Sequence, residues 1–334
     1  MFALLGLSLL LAALLTFNSL ASVVTTGLWR ALGPCTSCYS AMVRARTLFA
    51  LRVVPALLAI LVVTFLVVPS YLAYEPRHTS EVVSLKLGLL AFLSAVGLSL
   101  AIGRSVAAWR ATARLTSDWL QHSERITLDG ITIATYRIDH SFPVIAIVGV
   151  LRPRLFVARQ VLELLSAEEI AAAVAHENSH LAARDNLKRG LLRACRDTLL
   201  IIPSGRSLDR AWSEAAEEAA DEDAVRSRHG GALDLASALV KIARNIPSGT
   251  RPTMPAGVFL IGDEEASGIK MRVGRLMELA ASKHSQKCRQ EAFPKFLVWV
   301  FSAAVLSSLL IVVNAHLVFS SVHAFIEQVV FVLR

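Results

Sequence analysis

Four stretches of this chain contain no charged residue: 2–29, 53–74, 87–103 and 296–326. Runs this long and this apolar are what cross a bilayer, and the third, at the short end, has Lys86 and Arg104 beside it to snorkel. With 54% hydrophobic residues over 334 positions and a mean hydropathy of +0.56, a soluble enzyme of this size is excluded. The first run has no basic segment ahead of it and is too long for a signal peptide, so it reads as a retained span. Internal repeats and long low-complexity segments are absent. Cysteine is scarce, with four in all. Cys35 and Cys38 form a CxxC, read as two reduced thiols near a membrane surface, with a redox switch or accessory metal site as the alternative. One CxxC lacks the four ligands of a structural zinc site. Cys195 and Cys288 stand apart, and a cytoplasmic face argues against structural disulfides.

Basic residues collect at the ends of the apolar runs and account for the net charge of +8. Arg30, Arg44, Arg46 and Arg52 lie between the first two; Arg104, Arg110 and Arg114 follow the third; Lys283, Lys287, Arg289 and Lys295 precede the fourth. Glu75 and Glu81 balance Arg77 and Lys86 in the remaining loop. All the basic clusters thus fall on one side, which predicts an external N-terminus and a cytoplasmic region between the third and fourth spans. No nucleic-acid-binding motif is present, and no direct nucleic-acid binding is expected.

That cytoplasmic region holds His176-Glu177-Asn178-Ser179-His180, an HExxH. On a helix, positions i and i+4 share a face, so both imidazoles can reach one metal ion, while Glu177 stands close enough to serve as the base. Ser166-Ala167-Glu168-Glu169 is a capping box that starts the helix, and Ile170, Ala173, Val174 and Leu181 give it an apolar stripe. A polar side on a buried helix costs stability unless something binds there. Residues 207–228 read as a second helix carrying Glu214, Glu217, Glu218 and Asp221 within one arc. Clustered carboxylates repel without a nearby cation, so one of the four is expected to be the third ligand. His229, His316 and His323 show no partner pattern and are expected to be non-ligands; Asn314 and His316, inside the last apolar run, are expected to face other helices.

These motifs resemble the BlaR/MecR-type antirepressor membrane zinc metalloproteases. HENSH with Arg184-Asp185, then Glu217-Glu218-Ala219-Ala220-Asp221, is similar to that family's HExxH, following Asp and later ExxxD. Ser141-Phe142-Pro143, through Val148-Gly149-Val150-Leu151-Arg152-Pro153-Arg154-Leu155, resembles its stretch before the active helix. The resemblance implies one zinc ion per chain held by His176, His180 and Glu217, Glu177 as catalytic base, and Asp221 as a partner of a ligand histidine. Asp185 is either the family's Asp or the N-cap of the next helix. Asn178 replaces a more usual apolar residue. The implied substrate is a cytoplasmic protein, a BlaI-like DNA-binding repressor, with membrane lipids as the other partner. The chain ends at Arg334, close after the fourth apolar run, so the external sensor domain of some relatives is expected to be absent. The alternatives are an HtpX-like quality-control protease, which has an "NAF" stretch where this chain has Ser141-Phe142-Pro143, and a zinc-binding scaffold that no longer cleaves. The intact Glu177 argues against the scaffold.

The expected fold is an α+β membrane protein with about four transmembrane helices. A zincin-like cytoplasmic domain is inserted between the third and fourth. The expected boundaries are 1–110 for the membrane region, 111–292 for the protease domain, and 293–334 for the last helix and tail. Residues 126–133 read as a hairpin turning at Asp129-Gly130, with further strands at 144–150 and 155–158. Together they predict a small antiparallel sheet whose edge can pair with a substrate backbone. Residues 246–268, rich in Pro and Gly, read as a loop by the cleft, and 269–282 as a helix. Arg272 reads as a plain surface arginine, with a role in holding the acidic helix or the oxyanion as the alternative.

Overall fold

A computed structural model describes residues 1–33, 36, 39–76, 83–199, 205–227, 230–246, 266–281 and 315–333. The Cys35/Cys38 motif, Cys288, His229, most of the 246–268 loop and residues 296–314 of the fourth apolar run lie outside them.

The first apolar run forms α1 (Phe2–Leu32). The second lies in a continuous helix made of α2 (Ala41–Val62), a π-turn (Val63–Val67) and α3 (Val68–Tyr74). The π-turn sits just before Pro69, which has no N–H to donate and whose ring crowds the preceding turn. The third run is the start of α4 (Leu85–Gln121), capped by Ser84 through the Leu87 N–H. These three helices are long and apolar enough to cross a membrane. α4 runs on well past its apolar part, and Trp119 near its end is buried in the core of the domain that follows.

That domain opens with β1 (Ser123–Ile126), β2 (Thr135–Ile138), β3 (Ile145–Val148) and β4 (Arg154–Ala158) in the order β1-β2-β4-β3. The expected antiparallel sheet is in fact mixed. β3 and β4 form a hairpin, and β4 then inserts beside β2 and runs parallel to it. The expected tight hairpin at 126–133 is also wider: Ile126 pairs with Thr135, and residues 127–134 loop between them. Leu128, Ile131 and Ile133 pack against the core instead of extending a strand, and Asn178 donates to the Gly130 carbonyl. Gly130 does turn the chain, with φ 84°.

Helices follow: α5 (Arg159–Leu164), α6 (Ala167–Ala183), α7 (Asp185–Asp197), α8 (Arg206–Ser227), α9 (Gly231–Arg244) and α10 (Ala266–Ala281). The main core lies between the sheet and α5, α6, α9 and α10. The capping box at α6 is formed as expected, and Glu169 also binds Ser237 and Lys241 of α9. A second core joins the domain to the long apolar helices: Ala45 and Leu48 of α2 meet Leu192 of α7 and Leu208, Trp212, Ala215 and Ala216 of α8. Arg44 of α2 pairs with Glu218, and Arg52, 3% exposed, with Asp209, so α8 is bolted to α2. Finally α11 (Ala315–Leu333) packs on α3, with Ile326 and Val330 against Val67 and Tyr71.

Candidate metal centre

His176, Glu177 and His180 lie on α6, and the acidic helix α8 crosses beside them. The four candidate acids of α8 are now told apart. Glu214 is exposed, and Glu218 is paired with Arg44 and Arg275. Glu217 and Asp221, one turn apart, point at the histidines. Glu217 Oε1 is 3.5 Å from His180 Nε2, Glu217 Oε2 is 3.6 Å from His176 Nε2, and the two Nε2 atoms are 3.2 Å apart.

The outward nitrogens are spoken for. His180 Nδ1 is 2.8 Å from Asp185 Oδ2, and His176 Nδ1 is 3.0 Å from Asp221 Oδ1, although off the line of a good hydrogen bond. A carboxylate at Nδ1 keeps the proton there and leaves Nε2 as a lone pair. Two lone pairs facing at 3.2 Å repel, as does an approaching carboxylate, unless a cation lies among them. Glu217 Oε2 is buried and accepts no hydrogen bond. Without an ion the imidazole supplies the missing charge: burial lowers the His180 pKa, but Glu217 and Asp185 outweigh it and push it up to about 10. A tetrahedral ion bound at about 2.0–2.2 Å separates its ligands by roughly 3.3–3.6 Å, close to the three separations seen here. The residues therefore fit a divalent metal.

The joint between α6 and α7 explains how Asp185 arrives. Arg184 adopts φ 55° and ψ 41°, left-handed, and is the one non-glycine residue with positive φ among those described. This single residue ends α6 and starts α7, so Asp185, the first residue of α7, swings back onto His180. Lys188 Nζ donates to its other oxygen at 3.0 Å. Burial alone raises the Asp185 carboxyl, but His180 and Lys188 hold it low.

Asp221 is wholly buried, and Arg272 of α10 grips both its oxygens, at 2.7 and 3.1 Å, while standing 3.2 Å from Glu217 Oε2. Of the two readings of Arg272, the surface one is overturned and the one holding the acidic helix stands: Arg272 is 7% exposed, because α10 packs on α9 and turns that side chain inward. Arg189 of α7 donates to Glu217 Oε1 at 3.0 Å. Arg189 carries no local sequence signal, since it meets Glu217 only across helices.

Glu177 accepts from the Ile147 N–H at 3.1 Å, and burial raises its carboxyl despite the nearby His180 and His176. β3 is the sheet edge beside the site. Ala158 N–H bonds the Val144 carbonyl, so Ile145 and Ile147, out of phase, turn their backbone groups outward. At Ile147 those groups are already engaged, the N–H by Glu177 and the carbonyl by Asn186 Nδ2 at 2.9 Å. Asn186 also reaches the Gly149 carbonyl at 3.3 Å. The cleft beside the edge, about 350 Å³, is lined by Leu151, Glu177, His180, Arg184, Asn186 and Leu187 among others.

A model of peptidase family M48 matches residues 146–316, about half of the chain and all of the site just described. The chain belongs to peptidase family M48. The match makes it a member of a metallopeptidase family. No curated protein matches the chain. In this M48 chain a second grouping, Glu75, His323 and Glu327, lies where α3 meets α11, with Glu327 exposed and His323 stacked on Tyr74. Glu327 lies one turn from His323 on α11, whereas Glu75 comes from the other end of the chain and joins them only through the packing of α11 on α3.

Proposed function

We propose that this M48 chain is an integral-membrane zinc-dependent metalloendopeptidase, with His176, His180 and Glu217 as ligands and Glu177 as base. The observation that carries this reading is the triangle of two inward Nε2 atoms and one carboxylate, with separations of 3.2, 3.5 and 3.6 Å. Two imidazoles and a carboxylate favour zinc. Held by these residues, such an ion would supply a Lewis acid for the scissile carbonyl and would lower the pKa of a bound water toward ~7. Glu177, its pKa raised by burial, takes the water's proton and returns it to the leaving amine. Asp185 and Asp221 hold the two imidazoles in the tautomer that turns Nε2 inward. Arg189 and Arg272 fix Glu217.

The substrate we propose is a cytoplasmic protein, by resemblance a BlaI-like repressor whose cleavage relieves repression in response to a signal. The second reading, HtpX-like turnover of membrane proteins, is favoured by the packing of α7 and α8 directly on α4 and α2. Co-expression separates the two, with Glu177→Gln as the inactive control. On the first reading a repressor reporter is cut and a misfolded membrane protein persists; the reverse pattern assigns quality control. The one-sided basic clusters support a cytoplasmic active site: a reporter fused after residue 160 should behave as cytoplasmic, and one near residue 78 as external. The opposite pattern rejects a cytoplasmic substrate.

A further inference from the structure

Helix α7 does not stay in the cytoplasmic domain. At its far end Asn18 of α1 donates to Thr198 Oγ1 at 3.3 Å, and a Cβ on Gly97 of α4 would stand 2.8 Å from the Thr198 carbonyl oxygen. Gly97 lies inside the third apolar run, so α7 descends from the metal centre along α4 into the level of the spans. Trp109, 68% exposed, is about 18 Å further along α4 from Gly97 at about 1.5 Å per residue. Large apolar exposure on α4 ends there, and exposed tryptophan is typical of the bilayer interface. Leu187 is about 16 Å back along α7 from Thr198, which sets it at the level of Trp109.

The cleft mouth is at that level as well. Among the described residues of 123–246, five large apolar side chains are exposed, and four ring the mouth or adjoin it: Val150, Leu151, Leu187 and Leu191. Leu151, at the β3–β4 turn, is 90% exposed, and the exposed Arg152 follows it. Exposing such residues together in water is unfavourable, whereas an apolar tip followed by arginine suits an anionic interface. We propose that the Val150–Leu151 turn and the Leu187–Leu191 face of α7 rest in the headgroup region of the bilayer, so that the peptidase cleft opens onto the membrane surface. The occupant is lipid because this patch is continuous in level with the lipid-facing side chains of α4. The proposal rests on the reading of α1, α2–α3 and α4 as spans.

The test uses full-length protein, with its cysteines replaced, in nanodiscs of phosphatidylcholine and phosphatidylglycerol. Single nitroxide labels are placed at 151, at 129 in the β1–β2 loop, and at 20, a 63% exposed leucine on α1. The readout is collision with oxygen against collision with a water-soluble nickel complex, and it needs neither metal nor turnover. We expect the oxygen-to-nickel ratio at 151 to exceed that at 129 severalfold and to lie toward that at 20. Equal ratios at 151 and 129, with a high ratio at 20, overturn the proposal and leave both the spans and the peptidase reading standing. A label at 151 shielded from both reagents means a protein contact and also overturns it. A wet label at 20 removes the spans and the proposal together.

Discussion

The two imidazoles of the site are held in unlike ways. His176 is fully buried, and its support is distant in sequence: Asp221 on α8, clamped by Arg272 on α10. His180 is 14% exposed at the cleft, and its support is local: Asp185 across one left-handed residue, with Lys188 behind it. Water can replace part of the second arrangement. It cannot reach the first, where every lost partner leaves a buried charge. The candidate site is thus anchored on the His176 side and adjustable on the His180 side.

The largest effect should follow Asp221→Ala. It removes the two-oxygen partner of the buried Arg272 guanidinium, a loss of about 3–5 kcal/mol, and releases His176. Thermal unfolding should show a large drop in Tm, and metal should be absent. Asp185→Ala should be milder, weakening metal affinity by about 10–100-fold with a smaller change in Tm. Equal losses of stability in the two variants would break the comparison. Further out, Ser166→Ala should cost ~1 kcal/mol through the cap of α6. Its partner Glu169 gives a pH test. Burial raises its carboxyl, but Lys241, Ser237 and the Ser166 N–H outweigh burial and hold it below its ordinary 4.5. A depressed folded pKa means its stabilisation is present above pH 4.5 and fades as pH falls below that through the folded value. Glu169→Gln should therefore lose Tm at pH 7 and converge with the wild type under acid conditions. The smallest change is expected from Arg184→Gly. Relief of the left-handed strain, about 1–2 kcal/mol, is largely offset by the freedom glycine adds to the unfolded chain. Tm should hold or rise slightly, while Arg184→Val should lower it.

What could be read from the sequence divides along the same line. HExxH, the capping box and the Glu217/Asp221 turn are local periodicities; the structure brings His176, His180 and Glu217 to one point and forms the capping box at the start of the same helix. Arg272 reads first as a surface residue because nothing in its neighbourhood says that α10 delivers it to Asp221. The β-region was misread because Asp129-Gly130 signals a turn but not the width of the loop around it. β4's place beside β2 is a tertiary choice invisible to alternation. The descent of α7 was likewise illegible: Asp185–Asp197 is strongly amphipathic, as a surface helix would be, and only its contacts with Asn18 and Gly97 reveal its depth.

The central claim is that Glu217 completes a metal site in which Glu177 is the base and not a ligand. Metal content and turnover of purified full-length Glu177→Gln and Glu217→Ala, read beside the wild type, address it most directly. About one zinc per chain is expected in wild type and in Glu177→Gln, turnover only in wild type, and neither metal nor turnover in Glu217→Ala. Full zinc in Glu217→Ala, or loss of zinc in Glu177→Gln, would contradict it.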